Sequence, residues 1–369
     1  MVYEMEHIRA QYSYPGDGKG ERSINSLVDD LRGAVVTALG LNDSCNHVMP
    51  GHLEVTSRQV GRDAAGRHLM DVVIPAEVFC SGIGSATMSI LVANAMELKG
   101  LRLEDVELPE GFLATSPGPK LGIHGVRELL RKPSGPLFAV ALKPNLGMKW
   151  EDKAEIADRL AAGGVDIIKD DEMSLACPEG IIEGAAMIQA RLDKYASDYF
   201  RPCYVPNVSG DLITQRHIIQ LQAAGLHGLM MAFLICGWGK AFQVRSDERT
   251  ASFLYGHRAG YEAILPFVSM SVIAKLTRLT GFDIVHVGTP QPGQDSKIAD
   301  TRRAVVALRG RLSTLKPALP VFSKTTAELG RWLLDIFGPD SILMACGSLY
   351  GTGNLEGAAR KWIAQVKVS

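Results

Sequence analysis

A chain of 369 residues is longer than one ordinary domain and suits a large barrel joined to a smaller domain. At 46% hydrophobic and 21% charged residues it has a globular composition, and a formal net charge of −1 excludes a bulk electrostatic pull toward nucleic acid or an acidic membrane. The six cysteines (Cys45, Cys80, Cys177, Cys203, Cys236, Cys346) are scattered without CxxC spacing, which argues against a disulfide framework or zinc site and for a reducing cytoplasm. The first residues are too polar for a signal peptide, and no apolar run reaches membrane-spanning length.

In chain order, residues 7–14 read as a strand, 23–39 as a helix and 68–74 as a second strand. Residues 84–98 (GSATMSILVANAMEL) have helical apolar spacing with small side chains, and 109–125 is punctuated by glycine and proline turn signals. From about residue 137 short apolar runs alternate with amphipathic helices. The runs are 137–144, 165–172, 204–210, 229–236, 253–259, 284–289, 320–324 and 342–348; helices fall at 151–162, 180–195, 214–224 and 299–312, among others. The longest apolar stretch, 226–236, reads as a buried strand. Eight strand–helix units are the number that closes a parallel barrel. The rival architecture, a doubly wound open sheet, would carry a glycine-rich turn after its first strand. Fragments such as Gly82-Ile83-Gly84 exist, but that one precedes a helix in the wrong part of the chain.

Nearly every run in the second part ends in a residue that is costly to bury: Lys143, the Lys169–Glu172 cluster, Asn207, His257 with Arg258, His286, and Ser323 with Lys324. In a barrel the C-terminal strand ends converge on one mouth, where active sites lie. Lys169 and Asp171 are two apart and share a strand face, while Glu172 follows where the chain turns. Two carboxylates there suit a hard cation such as Mg²⁺, which takes oxygen ligands and keeps positions open for substrate. Asp170 faces the other way, to pair or cap. A KDDE string alone is more often a solvated charge run; its place after GGVDII, at a strand end, makes it a site. Lys143 precedes Pro144, and beside a cation it is a candidate proton shuttle. Histidine and arginine together can hold a phosphate, which His257, Arg258 and His286 offer between them, and His257 can instead serve as a base. Ser323 with Gly347, Gly351 and Gly353 can offer donors to an anion, although tight turns also require glycine.

These residues carry a family resemblance. LKPNLG (142–147), GGVDIIKDDE (163–172), HRA (257–259), HVGT (286–289), SILVANAMELKGLRLEDVELP (89–109) and GPKLGIHGVRELL (118–130) resemble the RuBisCO large-subunit superfamily, in order, from about residue 65 to about 360. The resemblance implies an α/β fold with a smaller α+β, ferredoxin-like N-terminal domain (1–125) and a C-terminal (β/α)8 TIM barrel (126–369). It implies a homodimer, or an assembly of dimers, in which the partner's N-terminal domain completes each site. Lys169 would be carbamylated by CO₂ and hold Mg²⁺ with Asp171 and Glu172. Lys143 would transfer a proton, His257 would stand near the metal, and Arg258 and His286 would bind phosphate. Asn94 would reach across the dimer interface, Ser323 would bind a substrate hydroxyl, and Gly347 would lie in the second anion loop.

The departures narrow the activity. Asn145 stands where carboxylases have the second lysine of KPKLG, and Lys297 is out of register with their loop lysine. Lys324-Thr325 replaces a double glycine, CGS (346–348) replaces a triple glycine, and no tryptophan occurs at residues 35–50. The pattern matches RuBisCO-like, form IV proteins that do not fix CO₂. The expected activity is Mg²⁺-dependent enediolate formation from a phosphorylated keto-sugar or keto-sugar acid, by decarboxylation or C–C cleavage of a branched 3-oxo sugar-acid phosphate. The alternatives are an enolase or isomerase acting on a methylthio-ketose phosphate, and a non-catalytic sugar-phosphate binder. No nucleic-acid or membrane partner is expected.

Overall fold

The structure is a computed structural model that describes residues 6–15, 24–38, 55–63, 65–79, 82–93, 98–144, 146–173 and 177–367. They fall into two compact units. One runs up to Ser116 and takes in Gly260–Leu276 and Leu312–Thr314; the other holds Pro117–Ala259, Thr277–Arg311 and the chain from Leu315 onward.

The first unit is built on an antiparallel sheet of β1 (His7–Tyr14), β2 (Thr56–Arg62), β3 (His68–Pro75) and β4 (Arg102–Glu107), in the order β2-β3-β1-β4. With the helix Ile24–Ala38 between β1 and β2, this is the ferredoxin-like arrangement. Alternation defines its faces. Ile8, Ala10 and Tyr12 lie opposite Ile74, Val72 and Met70, and all six are fully buried. On the other face Asp71, also buried, accepts from Arg9 and Gln11, each at 3.1 Å. Strand β2 was invisible to hydrophobic patterning because TSRQVGR is an edge strand with no buried residue.

Two expectations are refined here. The helix expected over 84–98 is a short α-turn, Ile83–Ala86, running into a π-helical stretch, Thr87–Val92. Its end lies outside the described residues, and so does Asn94. The stretch 109–125 contains two helices, Glu110–Ala114 and the start of Gly122–Leu129. Pro109 caps the first, and Gly122 opens the second at a φ of 64°, so the turn signals mark helix starts.

The second unit is a ring of eight parallel strands: β5 (Leu137–Ala141), β6 (Ile167–Lys169), β7 (Cys203–Val205), β8 (Gly228–Ala232), β9 (Phe253–His257), β10 (Ile284–His286), β11 (Leu319–Ser323) and β12 (Ile342–Ala345). The order is β7-β6-β5-β12-β11-β10-β9-β8. The two ends of that series meet through a parallel bridge between Asn207 and Met230, with Val208 N donating to Met230 O at 2.8 Å and Met230 N to Pro206 O at 2.9 Å. All eight expected strands and the four expected helices are present; the helices are Trp150–Ala162, Pro178–Leu192, Gln215–Ala223 and Asp295–Arg309. The run 226–236 is not one strand. It leaves β8 at Ala232 and turns into the helix Phe233–Cys236, with Phe233 buried and Ile235 65% exposed. A continuous apolar run carries no periodicity to separate strand from helix.

Period-two alternation sorts the barrel's residues into interior and exterior. The interior is filled by Leu137 and Ala139, Ile167, Cys203 and Val205, Met230, Phe253 and Tyr255, Ile284, Leu319 and Val321, and Ile342 and Met344. These form one dry cluster. At the opposite end from the mouth, Asp283 accepts from Leu121 N, Gly122 N and Leu254 N at 2.7–2.9 Å and from Arg245 at 3.2 Å, which satisfies a fully buried carboxylate. No helix among the described residues is long and apolar enough to cross a membrane.

Candidate active site

Two residues further along each strand, with interior parity kept, the dry cluster gives way to a different ring. Its members are Ala141, Lys169, Asn207, Ala232, His257, His286, Ser323 and Cys346. Lys143 and Asp171 continue the same parity one step higher on β5 and β6. Lys143, Lys169, Asp171, Asn207, His257, His286 and Ser323 are therefore brought to one mouth by alternation, whereas Glu172, Arg258 and Lys324 have the opposite parity and follow where the chain leaves the strand.

Lys169 is fully buried at the end of β6. Its amine donates to the Asp170 carbonyl and forms no ion pair among the described residues. Burial lowers its pKa, against the pull of Glu172, Asp171 and Asp170. The neighbouring carboxylates are each occupied by another group. Asp171 accepts from Lys143 Nζ at 2.6 Å and from Met173 N at 3.2 Å. Its burial would raise the pKa, but the Lys143 bond, the backbone N–H and the nearby amines outweigh that and hold it below the usual range. Glu172 Oε2 lies 3.4 Å from His257 Nε2. Asp170 faces outward and pairs with Lys153 on the helix Trp150–Ala162 at 2.9 Å, both buried. The Lys143–Pro144 peptide is cis.

The two histidines stand edge to face, 4.6 Å between ring centroids. Burial, reinforced by Lys169 and Arg258, lowers His257 to about 3. His286, more deeply buried and facing His257, is held well below its ordinary value. Both rings are neutral near pH 7. His257 Nδ1 accepts from Ala259 N at 3.2 Å, so its proton sits on Nε2, toward Glu172. His286 Nε2 contacts the Tyr255 hydroxyl at 2.8 Å. The Arg258 guanidinium lies against Gly288: a Cβ there would meet its Cζ at 3.8 Å. Gly288 has a φ of 91°, which favours glycine and keeps the space in front of Arg258 open.

On the far side, Ser323 ends β11 and Lys324 follows in the left-handed region, φ 57°. Gly347 opens a 3₁₀ turn, Gly347–Thr352, with nothing within 4 Å of where its Cβ would be. Lys297 sits exposed in the first turn of the helix Asp295–Arg309. Asn145 lies outside the described residues.

Sequence reasoning noted Asn207 only as a polar strand end and Cys346 only as a replaced glycine, and missed Tyr255. The Asn207 carboxamide donates to the Asp171 and Glu172 carbonyls at 3.3 and 3.1 Å. Its Oδ1 accepts from Ser209, whose hydroxyl accepts from Ala232 N at 2.8 Å. The available signal was parity: Asn207, Tyr255 and Cys346 share their strands' interior register.

A closed ring of parallel strands with lysine, carboxylate and histidine side chains at its C-terminal ends defines a β/α-barrel protein with a polar mouth. More narrowly, residues 122–365 match the family model for the ribulose bisphosphate carboxylase large chain, catalytic domain, and the chain belongs to that family. The ribulose bisphosphate carboxylase of Methanocaldococcus jannaschii is 29% identical over 277 residues, 69% of this chain and 64% of that protein, so the match spans less than two thirds of the relative. Two solved structures share the fold. Octameric ribulose-1,5-bisphosphate carboxylase/oxygenase from Pyrococcus horikoshii superposes with a TM-score of 0.83 at 22% identity, covering 98% of this chain and 88% of that one. A Rubisco-like protein from Rhodopseudomonas palustris gives 0.81 at 23% identity, covering 98% and 97%.

Proposed function

We propose that this chain is a non-carboxylating, RuBisCO-like (form IV) enzyme of the lyase or isomerase type. It forms an enediolate from a phosphorylated keto-sugar or keto-sugar acid, by decarboxylation or C–C cleavage of a branched 3-oxo sugar-acid phosphate. The observation that carries this reading is Lys169: a buried amine with no ion pair among the described residues, flanked by the carboxylates of Asp171 and Glu172. Among the described residues no three His, Cys, Asp or Glu side chains are placed to hold a metal. Two carboxylates beside a lysine whose pKa burial lowers would fit Mg²⁺ once the amine had taken up CO₂ and released a proton, because the carbamate would be the missing oxygen donor. A cation held there supplies Lewis-acid polarisation to a ketone oxygen.

The chain's own groups then have distinct tasks. Lys143, part-exposed and anchored to Asp171, is placed to deliver a proton to carbon. Neutral His257 presents Nε2–H to a developing oxygen charge. Arg258 and His286 bind the single phosphate, and Ser323 and Gly347 contact the remainder of the substrate. The exposed position of Lys297 and the Lys324-Thr325 and Cys346-Gly347-Ser348 replacements speak against guided capture of CO₂. We further propose a domain boundary near residue 125, a homodimer or assembly of dimers in which Asn94 crosses to the neighbouring site, and a cytoplasmic location.

The test is a screen of phosphorylated keto-acids and ketose phosphates with Mg²⁺ and bicarbonate. It follows CO₂ release, new products and proton–deuterium exchange. Turnover or exchange that disappears in Lys169→Ala supports the assignment. Incorporation of labelled CO₂ into ribulose bisphosphate, as the name of the Methanocaldococcus jannaschii relative would suggest, overturns the non-carboxylating reading.

A further inference from the structure

Tyr255 lies in the fully buried interior layer directly beneath the reactive ring. Its hydroxyl touches two groups, His286 Nε2 at 2.8 Å and Met344 Sδ at 3.6 Å. Its ring lies under the Lys169 amine, 6.0 Å from centroid to nitrogen. His286 is fixed from three directions: strand β10 holds its backbone, His257 packs edge to face at 4.6 Å, and Tyr255 meets Nε2. Nδ1 has no hydrogen-bond partner among the described residues. A neutral imidazole carries one proton, and the group bound at one nitrogen decides which nitrogen holds it.

Two arrangements satisfy the contacts. In one, the phenol donates to Nε2 and the ring proton sits on Nδ1. In the other, Nε2–H donates to the phenol oxygen and the phenol donates to sulfur. Phenol is the stronger acid of the two neutral groups and imidazole the stronger base, which favours O–H···N. The 2.8 Å separation is that of a well-formed bond, whereas a thioether is a weak acceptor.

We propose that Tyr255 is a positioning residue that sets the tautomer of His286: its hydroxyl donates to Nε2, so that Nδ1 carries the proton and offers an N–H donor to an anionic oxygen at the mouth. This rests on the reading of His286 as a contact for the substrate's anionic end. It adds the reason that a histidine with no positive charge can serve there. A lone pair turned toward a phosphate would repel it, while an N–H beside the Arg258 guanidinium attracts it. The tautomer thus decides whether the position selects for or against an anion.

The test reads the ring nitrogens directly. The full-length protein is labelled with ¹⁵N-histidine, and the His286 signals are assigned by their loss in His286→Gln. The wild type is expected to show a neutral ring protonated at Nδ1, and Tyr255→Phe to move the proton to Nε2 or to a mixture. Met344→Leu removes the competing acceptor and is expected to leave the tautomer unchanged. With inorganic phosphate as the probe, Tyr255→Phe is expected to weaken binding about fivefold, the loss of one oriented hydrogen bond. A wild-type proton on Nε2, an unchanged tautomer in Tyr255→Phe, or a switch caused by Met344→Leu overturns the proposal. A thermal melt of each variant separates these outcomes from misfolding. Because the tautomer is read without turnover, failure of the proposed reaction and failure of this assignment are distinguishable.

Discussion

The Asn207 side chain on the β7 segment holds the Glu172 backbone carbonyl on the β6 segment at 3.1 Å, and the Asp171 carbonyl beside it at 3.3 Å. The two carboxylates of the site therefore leave β6 on a backbone clamped from the next strand. Asn207 is itself held by Ser209, which is tied to β8 through Ala232 N. Asn207→Ala is expected to lower Mg²⁺ affinity roughly tenfold, as the loss of an outer support for metal ligands does. It should also cost about 1–3 kcal/mol of stability from the carbonyls left without a donor. Titration calorimetry with Mg²⁺ and bicarbonate, alongside urea unfolding, measures both; unchanged metal affinity would show that the clamp is structural only.

Asp170 and Lys153 form a buried pair behind the site. Removing one partner strands a charge, so Lys153→Met is expected to destabilise the protein by about 3–5 kcal/mol, and pairing it with Asp170→Leu should recover much of that. Urea midpoints for the single and double variants decide this. A double variant no more stable than the single one would show that the pair is required for its geometry.

The histidines make stability depend on pH in a defined sense. His257 titrates at about 3 in the folded chain and His286 also lies well below its ordinary value, whereas both titrate near 6.5 when unfolded. The unfolded state therefore binds more protons below that value. The contribution is complete above pH 6.5 and is lost as pH falls toward the folded values, at a slope approaching about 1.4 kcal/mol per pH unit for each ring. Urea unfolding of metal-free protein from pH 7.5 to 5 should show this fall, and His257→Gln should flatten it. A flat profile in the wild type would mean that the rings are solvated.

If Lys169 takes up CO₂, ¹³C-bicarbonate with Mg²⁺ should give a carbamate carbon signal that is absent in Lys169→Ala and unchanged in Lys194→Ala, a solvent-facing lysine paired with Asp158. No lysine-dependent signal at saturating bicarbonate would remove the proposed third oxygen ligand.

Much of the barrel was legible because both of its signals are periodic. Eight apolar runs had the right length and spacing, and the polar residues that end six of them fell at or just past a strand's C-terminal end. What hydrophobicity could not reveal lies where that signal is flat or hidden. Strand β2 has no buried residue to reveal it, and residues 229–236 are apolar throughout although the first four are strand and the last four helix. The helices inside 109–125 begin at the proline and glycine that suggested turns. The roles of Asn207 and Tyr255 depend on partners 35 and 31 residues away, which no local pattern contains.

The alternation that carries one residue per strand from the dry cluster to the polar ring separates two kinds of constraint. Ring closure depends on residues such as Ile167, Val205 and Val321, while chemistry depends on their neighbours two positions on: Lys169, Asn207 and Ser323. A lineage can therefore exchange one side chain on a single strand and change what the mouth does without reopening the problem of folding. Two of the eight positions, Ala141 and Ala232, are occupied by little more than a methyl group. They lie on β5 and β8, three strands apart around the ring, so the two points where the rim carries no functional group are separated by the lysine of β6 and the asparagine of β7.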